Sequence, residues 1–262
     1  MIQRFYTINP QLKPYVRYYF LLKPSGLETE TVCPDGSIDM EFQLEQGSRS
    51  IEKHTLHSRF SKPHTLTPVD LGLLLGVSFY PWALRAFIDF PVSEITNSKL
   101  PLSSVFGNQI SGLQEKVVNA ESTQAAIRFI ELFLISKLKP ISNHQLVAST
   151  SIQILKSGGL TSVKCLMQHA SLSERRLEQC FSNTMGVSPK LYSRLTRFKK
   201  AKRLLTQKHE SLTTVALESG YYDHSHFVHD FKKFAGVSPT TYIASQHVID
   251  TINAGASLET EL

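Results

Sequence analysis

The sequence predicts an α+β chain of two domains, a β-rich domain with trailing helices followed by an all-α domain. Short apolar or alternating segments separated by proline and glycine fill residues 1–105, which is typical of a small sandwich or barrel. Residues 146–245 contain one pattern twice, fifty positions apart, with helical spacing in each copy. The 262 residues, 41% of them apolar, are enough for two packed domains.

Three segments of the N-terminal part predict strands. Residues 15–22 are rich in aromatic and β-branched side chains, and residues 70–79 form a second apolar candidate. Between them, the turn Pro34-Asp35-Gly36 precedes apolar residues at every second position from 38 to 44. That alternation predicts a half-buried strand, with its apolar face inward and its polar face in water.

A helix pair is predicted over residues 108–138, where two apolar stripes recur at helical spacing. A pair this apolar covers the barrel, packs against itself or meets a partner chain, and the pattern leaves all three open. The break at Lys139-Pro140 predicts domains at 1–140 and 146–245. The chain loses its periodicity after that, and residues 246–262 are predicted to be a loose tail.

The repeat in residues 146–245 is the most specific feature of the sequence. Residues 172–192 align with residues 222–242 at a shift of fifty positions. The shift pairs identical residues of the two copies: Phe181 with Phe231, Gly186 with Gly236, Val187 with Val237, Ser188 with Ser238, Pro189 with Pro239 and Tyr192 with Tyr242. Self-similarity of this length indicates that one supersecondary unit occurs twice.

Each copy has the pattern of two helices joined by a tight turn. Ser173 and Asp223 are suited to cap the second helix of their copies, and Gly186 and Gly236 are suited to end it. This arrangement indicates a helix-turn-helix unit. Residues 190–207, between the copies, predict one amphipathic helix about 27 Å long at ~1.5 Å per residue.

A family resemblance follows from the second copy. Residues 220–227 have the sequence GYYDHSHF, Phe231-Lys232 follows, and GVSP occupies 236–239. This run resembles the DNA-binding domain of the AraC/XylS transcription regulators, with Tyr221 in place of the usual phenylalanine. The resemblance covers residues 146–245. It implies a DNA-binding transcription regulator with two helix-turn-helix units joined by one long helix. The length of the helix over residues 190–207 predicts that one chain contacts two adjacent major grooves of double-stranded DNA.

A looser resemblance covers roughly residues 8–140. The run at 33–42, with 76–79 and 90–95, is similar to a cupin-like sensor domain that accompanies some AraC-type regulators. It implies control by a small-molecule effector or a partner, with possible homodimerisation. The regulator would then change its occupancy of the promoter or its contact with RNA polymerase, for example as an activator.

The candidates for DNA contact lie opposite the buried positions of each second helix, near its N-terminus. In the first unit these outward residues are Arg175, Glu178, Gln179 and Ser182. In the second unit they are His224, Ser225 and His229. Three lysines are placed for phosphate contact: Lys199, Lys232 and Lys233. The resemblance implies base contact by Arg175, Glu178 and Gln179.

The net charge of +6 is unevenly distributed along the chain. Residues 146–245 contain 14 Lys and Arg against 6 Asp and Glu, a net +8, whereas the remaining residues are close to neutral. A solvated basic face is the simplest interpretation of such an excess. Because it coincides with the paired helix-turn-helix units, a phosphate-contacting surface is the more specific one.

Two groups of residues also suggest metal binding. They are His224, His226 and His229 in the second unit, and His54, His57 and His64 with Cys33 in the N-terminal part. Imidazoles facing DNA explain the first group. The second group lacks the His-x-His pair followed by glutamate that is usual in cupins. We therefore predict no metal, cofactor or catalytic residue. The alternative is a metal-dependent cupin-type enzyme with an accessory helical domain.

Composition predicts a cytoplasmic location. No run approaches the ~18 apolar residues that a membrane span needs, and the N-terminus lacks the apolar core of a secretory signal. The three cysteines are far apart and odd in number, which indicates reduced thiols rather than a disulfide framework.

Overall fold

The computed structural model describes residues 2–7, 9–23, 30–44, 54–66, 72–140, 143–207 and 211–244. An antiparallel sheet domain comes first and a helical domain follows, which confirms the predicted α+β class. The predicted tail at 246–262 lies outside the described residues. The same is true of two residues at the predicted domain boundary, 141–142.

The N-terminal domain is built on a six-stranded antiparallel sheet. Its eight strands in chain order are β1 (Ile2–Phe5), β2 (Val16–Leu22), β3 (Glu30–Val32), β4 (Ile38–Gln43), β5 (His54–Ser58), β6 (His64–Leu66), β7 (Leu74–Phe79) and β8 (Lys99–Pro101). Six of them form the main sheet in the order β1-β2-β7-β4-β5-β8, while β3 pairs with β6 in a two-stranded sheet. The three predicted strands correspond to β2, β4 and β7.

Strand β4 is buried on both faces, which corrects the prediction of a half-buried strand. The alternation predicts that Asp39, Glu41 and Gln43 face water, but all three are buried, like the apolar residues between them. The physical reason is Arg59, whose side chain is 2% exposed and forms ion pairs with Asp39 and with Glu41, at 3.4 Å for Glu41. Opposite charge replaces water on that face of the strand.

We refer to Asp35, Ser37, Asp39, Glu41 and Arg59 as the Arg59 cluster. Arg59 Nη2 donates to Ser37 Oγ at 3.0 Å, and Ser37 Oγ donates to Asp39 Oδ2 at 3.0 Å. Asp35 Oδ1 lies 3.8 Å from Arg59 Nε and accepts a hydrogen bond from the Ser37 amide. Burial raises the pKa of Glu41, against the opposing effect of Lys99.

Three helices follow the sheet: α1 (Leu102–Phe106), α2 (Ser111–Val118) and α3 (Thr123–Lys137). Helices α2 and α3 pack on each other, and α2 also contacts β4. The buried residues Leu113 and Val117 of α2 face this contact layer together with Ile130 and Leu134 of α3. Packing within the chain therefore accounts for the buried apolar stripes, while Leu132 on α3 is 65% exposed.

The C-terminal domain consists of seven helices over its described residues. They are α4 (His144–Lys156), α5 (Val163–Ala170), α6 (Glu174–Met185), α7 (Pro189–Gln207), α8 (Leu212–Glu218), α9 (His224–Ala235) and α10 (Pro239–Ala244). The pairs α5–α6 and α8–α9 are the two predicted units, and α7 is the predicted connecting helix, one residue longer at its start. None of the helices in the described ranges combines the length and apolarity needed to cross a membrane.

Candidate nucleic-acid interface

Helix α6 presents the first set of predicted contact residues. The Ser173 hydroxyl accepts a hydrogen bond from the Arg176 amide at 3.4 Å and caps the helix. The helix ends at Gly186, whose φ of 78° favours glycine. With Leu177, Cys180 and Phe181 buried between these ends, one side of the helix faces solvent.

That solvent-facing side carries the residues that the sequence singled out. Arg175, Glu178 and Gln179 are exposed, and Ser182 is half-buried on the next turn. Arg176 Nη1 donates to Gln179 Oε1 at 2.8 Å, a contact that the sequence analysis did not identify although the three-residue spacing permits it. In the free protein the Gln179 amide is thus already oriented by a neighbouring cation.

Helix α9 repeats this construction in the second unit. Asp223 Oδ1 accepts a hydrogen bond from the His226 amide at 2.7 Å, and the helix ends at Gly236 with φ of 79°. The buried face consists of aromatic rings: Phe227, Phe231 and Phe234. The exposed face carries the predicted contact residues His224, Ser225 and His229 near its start and Lys232 and Lys233 in its last turn. We call α6 and α9 the reading helices.

Asp230 fixes the second reading helix to α7, and sequence reasoning missed it. Its side chain is 2% exposed, and Arg194 of α7 donates to both carboxylate oxygens, with Nε at 3.1 Å from Oδ2. Hydrogen bonding to Asp230 raises the pKa of Arg194, so this guanidinium group keeps its charge. The only sequence signal is an acidic residue beside the apolar face of α9.

Replacing Arg194 with alanine should lower the free energy of unfolding by about 2–4 kcal/mol, because it leaves the buried Asp230 carboxylate without its partner. Urea titration monitored by circular dichroism measures this change. Lys190→Ala is the matched control, since Lys190 is an exposed cation on the same helix. Equal stability of the two variants would show that the Arg194–Asp230 pair does not hold α9 in place.

Lys199 contacts the N-terminal domain. Its Nζ donates to the backbone oxygen of Asp35 in the N-terminal domain at 3.1 Å. The structure therefore groups Lys232 and Lys233 with a reading helix and places Lys199 at a contact between the domains. The sequence could not predict the contact of Lys199 with Asp35, because the two residues are 164 positions apart.

The histidines considered as metal ligands lie in two different environments: His224, His226 and His229 are exposed on α9, whereas His57 is buried and His64 half-buried in the N-terminal domain. The rings of His57 and His64 meet edge to face with centroids 4.6 Å apart. Burial lowers the pKa of His57 to about 4 and that of His64 to about 3, so both are neutral near pH 7. Over the described ranges, no group of three or more His, Cys, Asp or Glu residues has the geometry of a metal site.

Two family models match separate parts of the chain. Residues 166–245 match the family described as "Helix-turn-helix domain". Residues 5–101 match a second family, described as "Domain of unknown function (DUF6597)".

Several bacterial regulators are similar to the C-terminal part. An uncharacterized HTH-type transcriptional regulator of Haemophilus influenzae is 31% identical over 80 residues, which are 30% of this chain and 27% of that protein. The HTH-type transcriptional regulator ArgR of Pseudomonas aeruginosa is 30% identical over 74 residues, 28% of this chain and 22% of ArgR. The chain thus spans less than a third of the length of these relatives.

Two solved structures illustrate the structural similarity. The DNA-binding domain of AdpA, solved in complex with a target DNA, has a TM-score of 0.36 and 25% identity, covering 37% of this chain and 89% of that one. ToxT from Vibrio cholerae has a TM-score of 0.44 and 13% identity, covering 86% of this chain and 97% of that one.

Proposed function

We propose that this chain, whose residues 166–245 match a helix-turn-helix domain family, is a sequence-specific DNA-binding transcription regulator of the AraC type. One observation carries the proposal. Two capped amphipathic helices, α6 and α9, each expose a short polar set near the N-terminus. They do so in the part of the chain that holds the whole basic excess. Base edges in the major groove are recognised by side chains in such positions.

A single chain would occupy two adjacent major grooves. Helix α7 has 19 residues, so it is about 28 Å long at ~1.5 Å per residue. We propose that a connecting helix of this length separates the reading helices by about one turn of DNA, roughly 34 Å. Because α6 offers Arg175, Glu178 and Gln179 while α9 offers His224, Ser225 and His229, the site would be two different boxes rather than a palindrome.

The N-terminal domain would act as the control element, responding to a small-molecule effector or a partner. Its main sheet supports a polar ligand. Asp39 on β4 and Ser78 on β7 are opposite each other, and both are fully buried. Asp39 Oδ1 and Ser78 Oγ lack hydrogen-bond partners among the described residues, and so does Gln43 Nε2 four residues further along β4. Buried polar atoms of this kind call for water or a ligand. RNA polymerase and a second copy of the chain are the further partners that we propose.

Two substitutions test the assignment of base and phosphate contacts. Arg175→Ala should cost about 1–3 kcal/mol on the site selected by the wild-type protein and relax preference at one or two base pairs. Lys232→Ala should weaken binding to all sequences about equally, because a phosphate contact carries no sequence information. Affinities measured by fluorescence anisotropy over a panel of single base-pair substitutions separate these two patterns.

The same panel can refute the assignment. If Arg175→Ala and Lys232→Ala lower affinity uniformly over every duplex, Arg175 does not read bases. If the wild-type protein shows no preference among the duplexes, sequence-specific recognition itself is wrong.

A further inference from the structure

The N-terminal domain contacts the two helix-turn-helix units at equivalent positions of the repeat. Thr96 Oγ1 donates to the carbonyl oxygen of Gly186, at the end of the first unit, at 2.9 Å. Pro63 packs against Gly236 at the end of the second unit, where an added Cβ would lie 3.3 Å from the proline ring. At Gly186 an added Cβ would lie 2.1 Å from Thr96 Oγ1. These two glycines are the ones that the fifty-residue shift superimposes.

Helix α7, which joins the units, contacts the same domain. Lys199 Nζ donates to the Asp35 carbonyl oxygen at 3.1 Å. The next residue, Gly36, has φ of 78°, and a Cβ there would lie 3.1 Å from Leu195 and 3.7 Å from Tyr192. Leu195 and Tyr192 are buried. The first unit, the connecting helix and the second unit therefore all rest on one surface.

Three segments of the N-terminal domain form that surface, residues 35–37, 59–63 and 92–97, and we call them the clamp. The third segment begins with a short 3-10 helix, Val92–Ile95. Asn97 joins two of the segments, since its Oδ1 accepts from the amides of Phe60 at 3.1 Å and Ser61 at 2.8 Å. The Gly36 amide donates to the Arg59 carbonyl oxygen at 2.8 Å, which joins residues 35–37 to residues 59–63. Because these hydrogen bonds join the three segments, their contacts with the C-terminal domain belong to one continuous surface.

We infer that the clamp determines which spacing between two DNA boxes the protein accepts, with Thr96, Pro63 and Asp35 as positioning residues. The inference rests on the proposed DNA-binding function. The clamp contacts the glycine that directly follows each reading helix, Gly186 and Gly236. It also contacts α7, which lies between the two units. One base pair more or less moves the second box by about 3.4 Å and rotates it by about 35°. A clamped pair of units cannot follow this displacement, whereas a released pair can.

The experiment compares spacer preferences of full-length proteins. The probe is the site that the wild-type protein selects from random DNA, remade with spacers one and two base pairs shorter and longer. Thr96→Val removes the hydroxyl that bonds Gly186, and Lys199→Met removes the ammonium group while keeping the aliphatic stem. Lys139→Met is the matched control, since it removes a lysine whose ion pair with Asp89 is exposed and whose side chain makes none of the hydrogen bonds that define the clamp.

The wild type and Lys139→Met should lose about tenfold or more in affinity at one base pair from the optimum, the cost of misplacing specific contacts. Thr96→Val/Lys199→Met should lose less than about threefold there, and each single variant should show part of the broadening. The singles keep the test decisive if the double variant does not fold. Spacer profiles of unchanged shape in all variants would overturn the clamp. Absence of DNA binding by the wild type would refute the proposed function instead.

Discussion

Replacing Arg59 with methionine should lower the free energy of unfolding of the N-terminal domain by about 3–5 kcal/mol, the range for breaking a buried ion pair by removing one partner. The guanidinium group is 2% exposed and lies among three carboxylates, those of Asp35, Asp39 and Glu41. Without it, Asp39, which is fully buried, would keep a carboxylate without its cationic partner. Urea titration of the full-length protein, with Trp82 fluorescence as the probe, measures the loss.

The control and the rescue separate charge from packing. Lys139→Met removes an exposed cation paired with Asp89 and should cause little measurable change, because water screens that pair. Combining Arg59→Met with Asp39→Asn should recover part of the stability, since a neutral amide is less costly to bury than a lone carboxylate. If Arg59→Met is as stable as the control, the Arg59 cluster does not hold the sheet together.

The Arg59 cluster also shows where sequence reasoning stops. Helices α6 and α9 were predictable because the capping residue, the apolar spacing and the terminal glycine all lie within about fifteen residues of each other. By the alternating pattern, Asp39 and Glu41 are predicted to face solvent. The sequence around them does not predict their contacts with Arg59. Their burial depends on which strands pair and on what covers the sheet, which a single strand pattern does not encode.

The candidate site likewise has features that the local sequence predicts and features that depend on tertiary contacts. The outward sets on α6 and α9 follow from helix periodicity alone, and the structure exposes all of their residues except Ser182, which is half-buried. The Arg194–Asp230 pair joins residues 36 positions apart, and the Lys199 contact joins residues 164 apart. Such contacts depend on how helices and domains dock. The sequence therefore shows that these residues are charged but does not predict which residues they contact.

Affinity for non-specific DNA should fall roughly 500-fold between 50 mM and 200 mM salt if about five phosphate contacts form, because each contact releases condensed counterions. This corresponds to a log–log slope near −4 to −5. The described cations for these contacts lie in the C-terminal domain, where Lys232 and Lys233 are exposed beside the second reading helix. Anisotropy titrations of a random-sequence duplex at five salt concentrations give the slope, and a slope near zero would contradict DNA binding altogether.

Single lysine variants show which cations face the phosphates. Lys232→Met and Lys233→Met should each make the slope shallower by about 0.9, the value expected for one lost contact. Lys199→Met removes the same charge from the same domain, yet its Nζ is bonded to the Asp35 carbonyl oxygen in the N-terminal domain. It should therefore leave the slope unchanged while altering the spacer preference of the specific complex. If Lys199→Met instead makes the slope as shallow as Lys232→Met does, the bond to Asp35 breaks when DNA binds and α7 approaches the phosphate backbone.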